Sequence, residues 1–507
     1  MPVGPFVFWA GGSGAAPPPP LSADRFSPKY LVGNFSAGDL AATTSFGGFV
    51  YIQDPGDGSG VAAALAQPNG LGDVYVRPGN YVGSGILTVP AGVRVVGAGS
   101  SVTLFSGRTF VMDSKSTLAH IGVNTTTDFS VRSLAGASGI ELQDVVLASS
   151  GGSGCMQFTG GGFTTPYPRP ISIQRVACSL TIGGRGLHIR AGAVVSVDTL
   201  SITGGDESIR SESNATLLGR QIFTDNSDIC IHYLGHTGLG STSVQDSQFF
   251  SDGTTIVGDN NTANVAFTRC ILRNVLGGTS MDFAGASLSN AVFNQCEILS
   301  TGLGIENVSG SRVSFLNCRM TSQSGANATL NVGIALFDVT VSGGSITNNG
   351  PGLISYTPIT INDLEVVSSS GNTAASFFGP GGSVVTNSVF ISSVVSGGVI
   401  FDSPNNVFST SRVQGVVRYT GNAIGNTTTA LLVNAIALGG PAILVDGKAN
   451  VFTAVRTRTA LAVPGVALSG PSEDNLVISL SAVGPGVGGV AVLDSGLGNE
   501  VAHIIST

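Results

Sequence analysis

A six-residue pattern returns along most of this 507-residue chain. It reads apolar, any, polar, small-or-apolar, any, apolar, as in Phe267-Thr-Arg-Cys-Ile-Leu272, Phe293-Asn-Gln-Cys-Glu-Ile298 and Phe315-Leu-Asn-Cys-Arg-Met320. With the fourth position as register mark, the series is Val96, Ile121, Val145, Val176, Leu200, Gln221, Ser247, Cys270, Cys296, Cys318, Gly344, Leu364, Ser388 and Ser411. The mean spacing is about 24 residues. Apolar residues alternate within each unit, which is strand rather than helix periodicity. A unit of this size cannot bury its own apolar face, so it must stack on its neighbours. A parallel β-helix is the architecture this predicts; the regular Leu and Asn positions of a leucine-rich repeat are absent.

Composition agrees. Gly takes 73 positions and charged residues only 10%, about half the usual share or less. Low charge with much Gly, Ser, Thr, Val and Asn describes short strands joined by tight turns. Lys and Arg total 22 against 30 acids, a formal charge of −8, so phosphate-neutralising patches are not expected and nucleic acid is excluded as a partner. Mean hydropathy is positive at +0.35. The most apolar stretch, Ala430 to Val445, is broken by Asn434, Gly439, Gly440 and Pro441 and is too short to span a bilayer. No membrane insertion is expected. The apolar patch Val3 to Ala10 has no Lys or Arg before Arg25, so no secretory signal is read. Six cysteines without a CxxC are not a disulfide scaffold.

The front of the ladder carries a further signal. Ser59-Gly-Val-Ala-Ala-Ala-Leu-Ala-Gln67 reads as a short helix ended by Pro68. Gly72-Asp-Val-Tyr-Val-Arg-Pro-Gly-Asn-Tyr81 and the strand pair Gly85 to Gly99 follow it. This segment resembles the entry of the pectate-lyase-like right-handed parallel β-helix superfamily, and the layout is most like phage tail spike and fibre proteins. The resemblance covers Ser59 to Leu104 in motif and rests on the period beyond. It implies an all-β, right-handed parallel β-helix with about 24 residues per rung, an N-terminal helical cap and a β-rich C-terminal domain. Right-handedness also follows from the usual hand of parallel crossovers. Three regions are expected: 1–58, an anchoring lead with a Pro17–Pro20 hinge; 59–420, the β-helix; and 421–507, a β-rich capping or oligomerisation region.

The chemistry-bearing residues concentrate between Arg185 and Asp259. Asp206, Glu207, Asp225, Asp228 and Asp252 recur a few residues after successive marks, so stacking would place them on one turn face. They are the catalytic candidates, because glycoside cleavage needs two carboxyls and a lyase needs a base beside a cation. His188, Arg190, Arg210, His232 and His236 are the binding candidates, with Arg185 and Glu212 interspersed. The bland reading is that solvated turns tolerate acids. No cofactor is expected, though calcium would suit the same acids; no other metal is assigned. Cys270, Cys296 and Cys318 form a core column rather than a zinc site. The phenylalanines at 223, 249, 267, 293 and 315 read as core stacking. The long gap between Val145 and Val176, with Phe163, Pro166, Tyr167, Pro168 and Arg169, is an insertion that either contacts a partner or is merely tolerated. The glycine-rich stretches follow no strand-to-helix pattern and are not phosphate cradles.

The resulting expectation is a structural, receptor-binding spike or fibre of a bacteriophage or phage-tail-like particle. It would be a homotrimer, held to virion, tail or baseplate proteins through its N-terminal region and contacting a host surface glycan or receptor protein. It would be made in the host cytoplasm without a signal peptide and become part of an extracellular particle. Two alternatives stay open: a polysaccharide lyase or glycoside hydrolase using the acidic face, and a bacterial surface adhesin. Trp9 is the single Trp and there are only eight Tyr, few of the aromatic platforms that sugar grooves use.

Overall fold

The computed structural model describes residues 29–35, 49–67, 72–161, 169–181, 183–234, 240–259, 262–282, 287–302, 304–323, 328–369, 373–392, 398–435, 440–459, 463–483 and 491–506. The lead patch Val3 to Ala10, Trp9, the Pro17–Pro20 hinge, insertion residues 162–168 and His236 lie outside them. The chain divides into two units, residues 1–225 and 226–507.

Each unit is a parallel β-solenoid. In residues 1–225 the inward positions of successive turns fall on one another: Tyr30, Val74, Val95, Leu118, Leu142, Ile173 and Val197 form one column. All seven are buried. Strands Lys29–Gly33 and Phe49–Gln53 precede the expected start at 59, yet both join this ladder, with Lys29–Gly33 lying between Phe49–Gln53 and Asp73–Val76. The helix Ser59–Leu65 is the only one among the described residues. It buries Gly60, Val61, Ala64 and Leu65 and packs against these first strands. Asp54, fully buried, fixes its start. One carboxylate oxygen accepts the amides of Gly56, Asp57 and Gly58, and the other those of Gly60 and Val61.

Residues 226–507 repeat the scheme. Phe267, Phe293, Phe315, Val341, Ile361, Val385, Phe408, Thr428, Phe452, Val477 and Val501 stack in register. The rings of Phe267, Phe293 and Phe315 lie face to face at 5.5 and 5.1 Å. Cys270, Cys296 and Cys318 occupy one column of three neighbouring turns. Each is buried and directs its thiol to a carbonyl of the turn below: Val244, Phe267 and Phe293 respectively. The Cys296 thiol beside them, and then burial, push the Cys270 and Cys318 thiols up.

The residue before most marks is left-handed. Asp144, Arg175 and Gln221 in the first unit, and Asp246, Arg269, Gln295, Asn317, Asp363, Asn387, Ala430 and Ala454 in the second, have φ between 49 and 56°. Leaving the extended region for one residue turns the chain through a corner. This corrects two marks. Leu200 lies under Ile222, not Gln221, because Gln221 is itself the corner. Phe223 therefore points outward, 36% exposed, whereas Phe249, Phe267, Phe293 and Phe315 are core. Val96 lies against Ala119 rather than Ile121.

The ladder does not end at 420. The register that stacks Ser388 on Ser411 continues through Leu431, Val455, Leu480 and Ile504. A buried asparagine column accompanies it. Asn406, Asn426 and Asn450 each donate a side-chain amide to the carbonyl oxygen of the next asparagine at 2.8, 2.8 and 2.9 Å. Asn475 donates to Asn499 at 3.0 Å. The same oxygens accept the backbone amides one turn down. No helix among the described residues is long and apolar enough to cross a membrane.

Candidate functional site

In residues 1–225 the polar cluster is built by two stacked strands, Arg185–Arg190 and Glu207–Glu212. Leu187 and Ile189 pair with Ile209 and Ser211 and point inward. The alternate positions carry His188, Arg190, Arg210 and Glu212. Arg185 stacks on Glu207, and His188 on Arg210. On the preceding turn Gln157 pairs with His188.

The side chains close into a network. Glu207 is held by Arg185 at 2.9 Å and by Arg210 at 3.1 Å. Glu212 takes Arg210 on one oxygen, Arg190 on the other at 3.1 Å, and has His188 Nε2 at 3.1 Å. That nitrogen is close to Glu212 but out of line for a good hydrogen bond. His188 Nδ1 meets the Gln157 amide at 3.3 Å, and Phe129 lies 6.1 Å away, ring to ring. His188 is 2% exposed. Burial lowers it to about 4 against the opposing pull of Glu212, so it is neutral near pH 7. Burial works to raise Glu212, but the Arg210 guanidinium leads the opposing contributions, and the carboxyl is held below its ordinary range.

The pairing bears on which chemistry the cluster suits. A general acid needs a raised carboxyl pKa, and Glu212 has the reverse. Glu207 is bracketed by two guanidinium groups. His188, though neutral, is sealed from any polymer outside. The arrangement holds two carboxylates among three guanidinium groups. Arg185 and Glu212 complete it, and their place in the strand alternation is what marks them.

The remaining candidates sit apart from the network. Asp206 is exposed on the bend before Glu207. Asp225 is half-buried and lies over Thr203, not over Asp206. In the second unit Asp228 is exposed and Asp252 half-buried. Their turns adjoin, since a Cβ on Gly253 would come within 2.5 Å of the Asp228 carbonyl oxygen. His232 is buried. Among the described residues, no three of His, Cys, Asp and Glu converge as a metal set would require.

Ion pairs between neighbouring turns recur beyond the cluster. Arg175 stands over Asp144 and Arg220 over Asp198 in the first unit. In the second, Arg269 stands over Asp246 and Arg319 over Glu297. Asp144 and Asp198 are lowered mainly by their arginines' hydrogen bonds.

No family model matches the chain, and no curated protein matches it. Among solved structures it is similar to the catalytic unit of a thermostable GH87 alpha-1,3-glucanase from Streptomyces thermodiastaticus strain HF3-3, at 14% identity over 87% of this chain and 65% of that one, with a TM-score of 0.26. A mannuronan C-5 epimerase A-module from Azotobacter vinelandii matches at 13% identity, 88% and 92% coverage and a TM-score of 0.20. The ORF18 protein of Geobacillus virus E2 matches at 12% identity, 89% and 58% coverage and a TM-score of 0.17. The chain thus spans just under two thirds of the glucanase unit. At these identities and TM-scores the likeness carries no argument, and the fold rests on the chain's own strand pairing. The chain is a parallel β-helix protein, the architecture that its own strand register displays.

Proposed function

We propose that the protein is a structural, receptor-binding spike or fibre subunit of a bacteriophage or phage-tail-like particle, assembled as a homotrimer. The observation that carries this reading is the pairing of the acids. In the Arg185–Glu212 network Glu207 and Glu212 are each held between two arginines, an arrangement that suits stiffening one turn against the next. Columns of phenylalanine, cysteine and asparagine tie one turn to the next in the same way. Exposed apolar side chains, among them Val82 at 59% and Ile86 at 52% in the first unit and Leu493 at 51% and Ile505 at 63% in the second, suit burial against further copies.

Sedimentation equilibrium and immunogold labelling of particles test the proposal together. A trimer that labels particle tails supports it; a monomer at all concentrations, or label confined to a cell surface, refutes it and favours the adhesin. A second reading, a polysaccharide lyase or glycoside hydrolase, draws on Asp228 and Asp252, whose turns adjoin. Release of reducing ends or unsaturated products from a host glycan, lost in Asp228→Asn and Asp252→Asn, would establish it.

A further inference from the structure

Five described arginines of the second unit have no acid partner; Arg273 and Arg312 stand apart, and Arg412, Arg456 and Arg458 gather in two adjacent columns. Arg412, Leu432, Arg456 and Ser481 occupy one outward column, immediately after the marks, and Gln414, Asn434, Arg458 and Val483 occupy the column two residues on. Arg412, Leu432, Asn434, Arg456, Arg458 and Val483 line a groove of about 420 Å³. Arg412 and Arg456 stand two turns apart, about 10 Å, and Arg456 and Arg458 two residues apart, about 7 Å.

No carboxylate lines this groove. Among the described residues, no acid is paired with any of the three guanidinium groups. Earlier in the same column the contrast is direct, because Arg319 has Glu297 one turn below it at 3.3 Å. Here the positions next in line are Val389, Leu432 and Ser481. The chain segments that follow these strands, 393–397, 436–439, 460–462 and 484–490, contain no charged residue. Three like charges are thus gathered on one concave face of a protein whose net charge is −8, at a mutual repulsion that a bound anion would relieve.

We propose that this groove binds an acidic polysaccharide, the arginines taking its carboxylates while Leu432 and Val483 lie against the apolar faces of its sugar rings. Guanidinium groups match carboxylates in a two-point fork, and their spacing across turns suits charges repeated along an extended polymer. A nucleic acid fits poorly. The lining has no aromatic on which a base could stack, and so few cations on an acidic protein cannot offset closely spaced phosphates. The proposal rests on the spike reading in one respect: it names the class of surface glycan such a spike would contact.

The test uses the full chain and three probes of matched length: hyaluronan oligosaccharides as the polyuronate, dextran oligosaccharides as the neutral sugar, and single-stranded DNA. Calorimetry at low salt should show hyaluronan binding and no dextran binding. Raising the salt from about 0.05 to 0.5 M should weaken it about tenfold. Each single Arg→Gln substitution at 412, 456 or 458 should weaken it about fivefold, and the triple substitution about 100-fold. Arg319→Gln should leave it unchanged. All four positions are exposed, so the variants should keep their circular dichroism and melting profile. Absence of hyaluronan binding, equal dextran binding, tighter DNA binding, or a triple variant of undiminished affinity would each overturn the proposal. None of these results bears on trimer formation or particle labelling, so the spike reading would stand or fall separately.

Discussion

Asn450→Ala should lower the stability of the turns around it by about 4 kcal/mol. The Asn450 side chain is buried and makes four hydrogen bonds. Its oxygen accepts the Asn426 backbone amide at 3.0 Å and the Asn426 side-chain amide at 2.8 Å. Its nitrogen donates to the Ala423 carbonyl and to Asn475 Oδ1, each at 2.9 Å. Truncation takes the partner from two buried donors on Asn426 and from one carbonyl, whereas Asn475 Oδ1 still accepts the Asn450 backbone amide at 2.9 Å. A stranded buried polar group costs about 1–3 kcal/mol, so three give roughly 3–6 kcal/mol once neighbouring turns relax or water enters. Global melting is a poor readout, since a stack of repeats need not unfold as one unit. Hydrogen exchange is better. In Asn450→Ala the amides of residues 423–428 should exchange at least ~100-fold faster, as their opening free energy falls. Asn499→Ala supplies the comparison. That residue is half-buried at the end of the column, where water can replace it, and the cost should stay near 1 kcal/mol. If Asn450→Ala loses less than about 1 kcal/mol of protection, or if both positions cost the same, the column is not what locks these turns.

Burial and backbone conformation elsewhere in the chain have consequences of their own. All six cysteines are buried, so a thiol reagent such as DTNB should find almost none in the native protein and all six after denaturation; rapid native labelling would contradict the core placement. His188 is lowered from 6.5 to about 4, so the unfolded chain takes up its proton first as pH falls from 6.5 to 4. Stability is therefore full above pH 6.5 and declines across that window, by up to about 3 kcal/mol. Hydrogen exchange of residues 185–190 at pH 5 and 7.5 should show this loss, and His188→Gln should abolish its pH dependence. Glu212, lowered from 4.5, adds a further loss only below that pH. Ala454 is exposed with φ of 54°. Ala454→Gly should therefore gain up to about 1 kcal/mol by removing the left-handed penalty, measured by local exchange of residues 451–457; a loss would mean that unfolded-chain entropy dominates.

Much of the fold was legible because its period is written in side chains that must fit one slot. Cys270, Cys296 and Cys318, with their flanking phenylalanines, announce both spacing and register. The corners are less visible. A left-handed residue precedes most marks, yet the position is filled by Asp, Arg, Gln, Asn, Thr, Ala, His and Gly in turn. It faces solvent and asks only for a short cost in backbone energy, so it imposes no residue type. That is why Gln221 passed for a mark and Phe223 for core. Beyond 420 the period changed carriers rather than vanished. Asn406, Asn426, Asn450 and Asn475 are each followed by Val, Thr, Leu or Phe, and Asn499 keeps the same spacing, so that signal was available.

The network at Arg185–Glu212 was foreshadowed by alternation, since residues two apart on a strand share a face. What sequence could not tell was that each carboxylate is clasped by two arginines, because that pairing depends on which strand lies one turn below. The same dependence hid the groove. Arg456-Thr-Arg458 is plain in the chain, but its meaning comes from Leu432 lying beneath Arg456 where Glu297 lies beneath Arg319. In a stack, an outward residue meets its neighbour about 4.8 Å away in the next turn long before it meets anything distant in the fold. Charge balance is thus settled column by column. The column of Arg412 and Arg456 holds acids further along, at Glu297 and Glu365, but none on a turn next to either arginine, and on an acidic protein of few charges such an opening marks where another molecule's charge belongs.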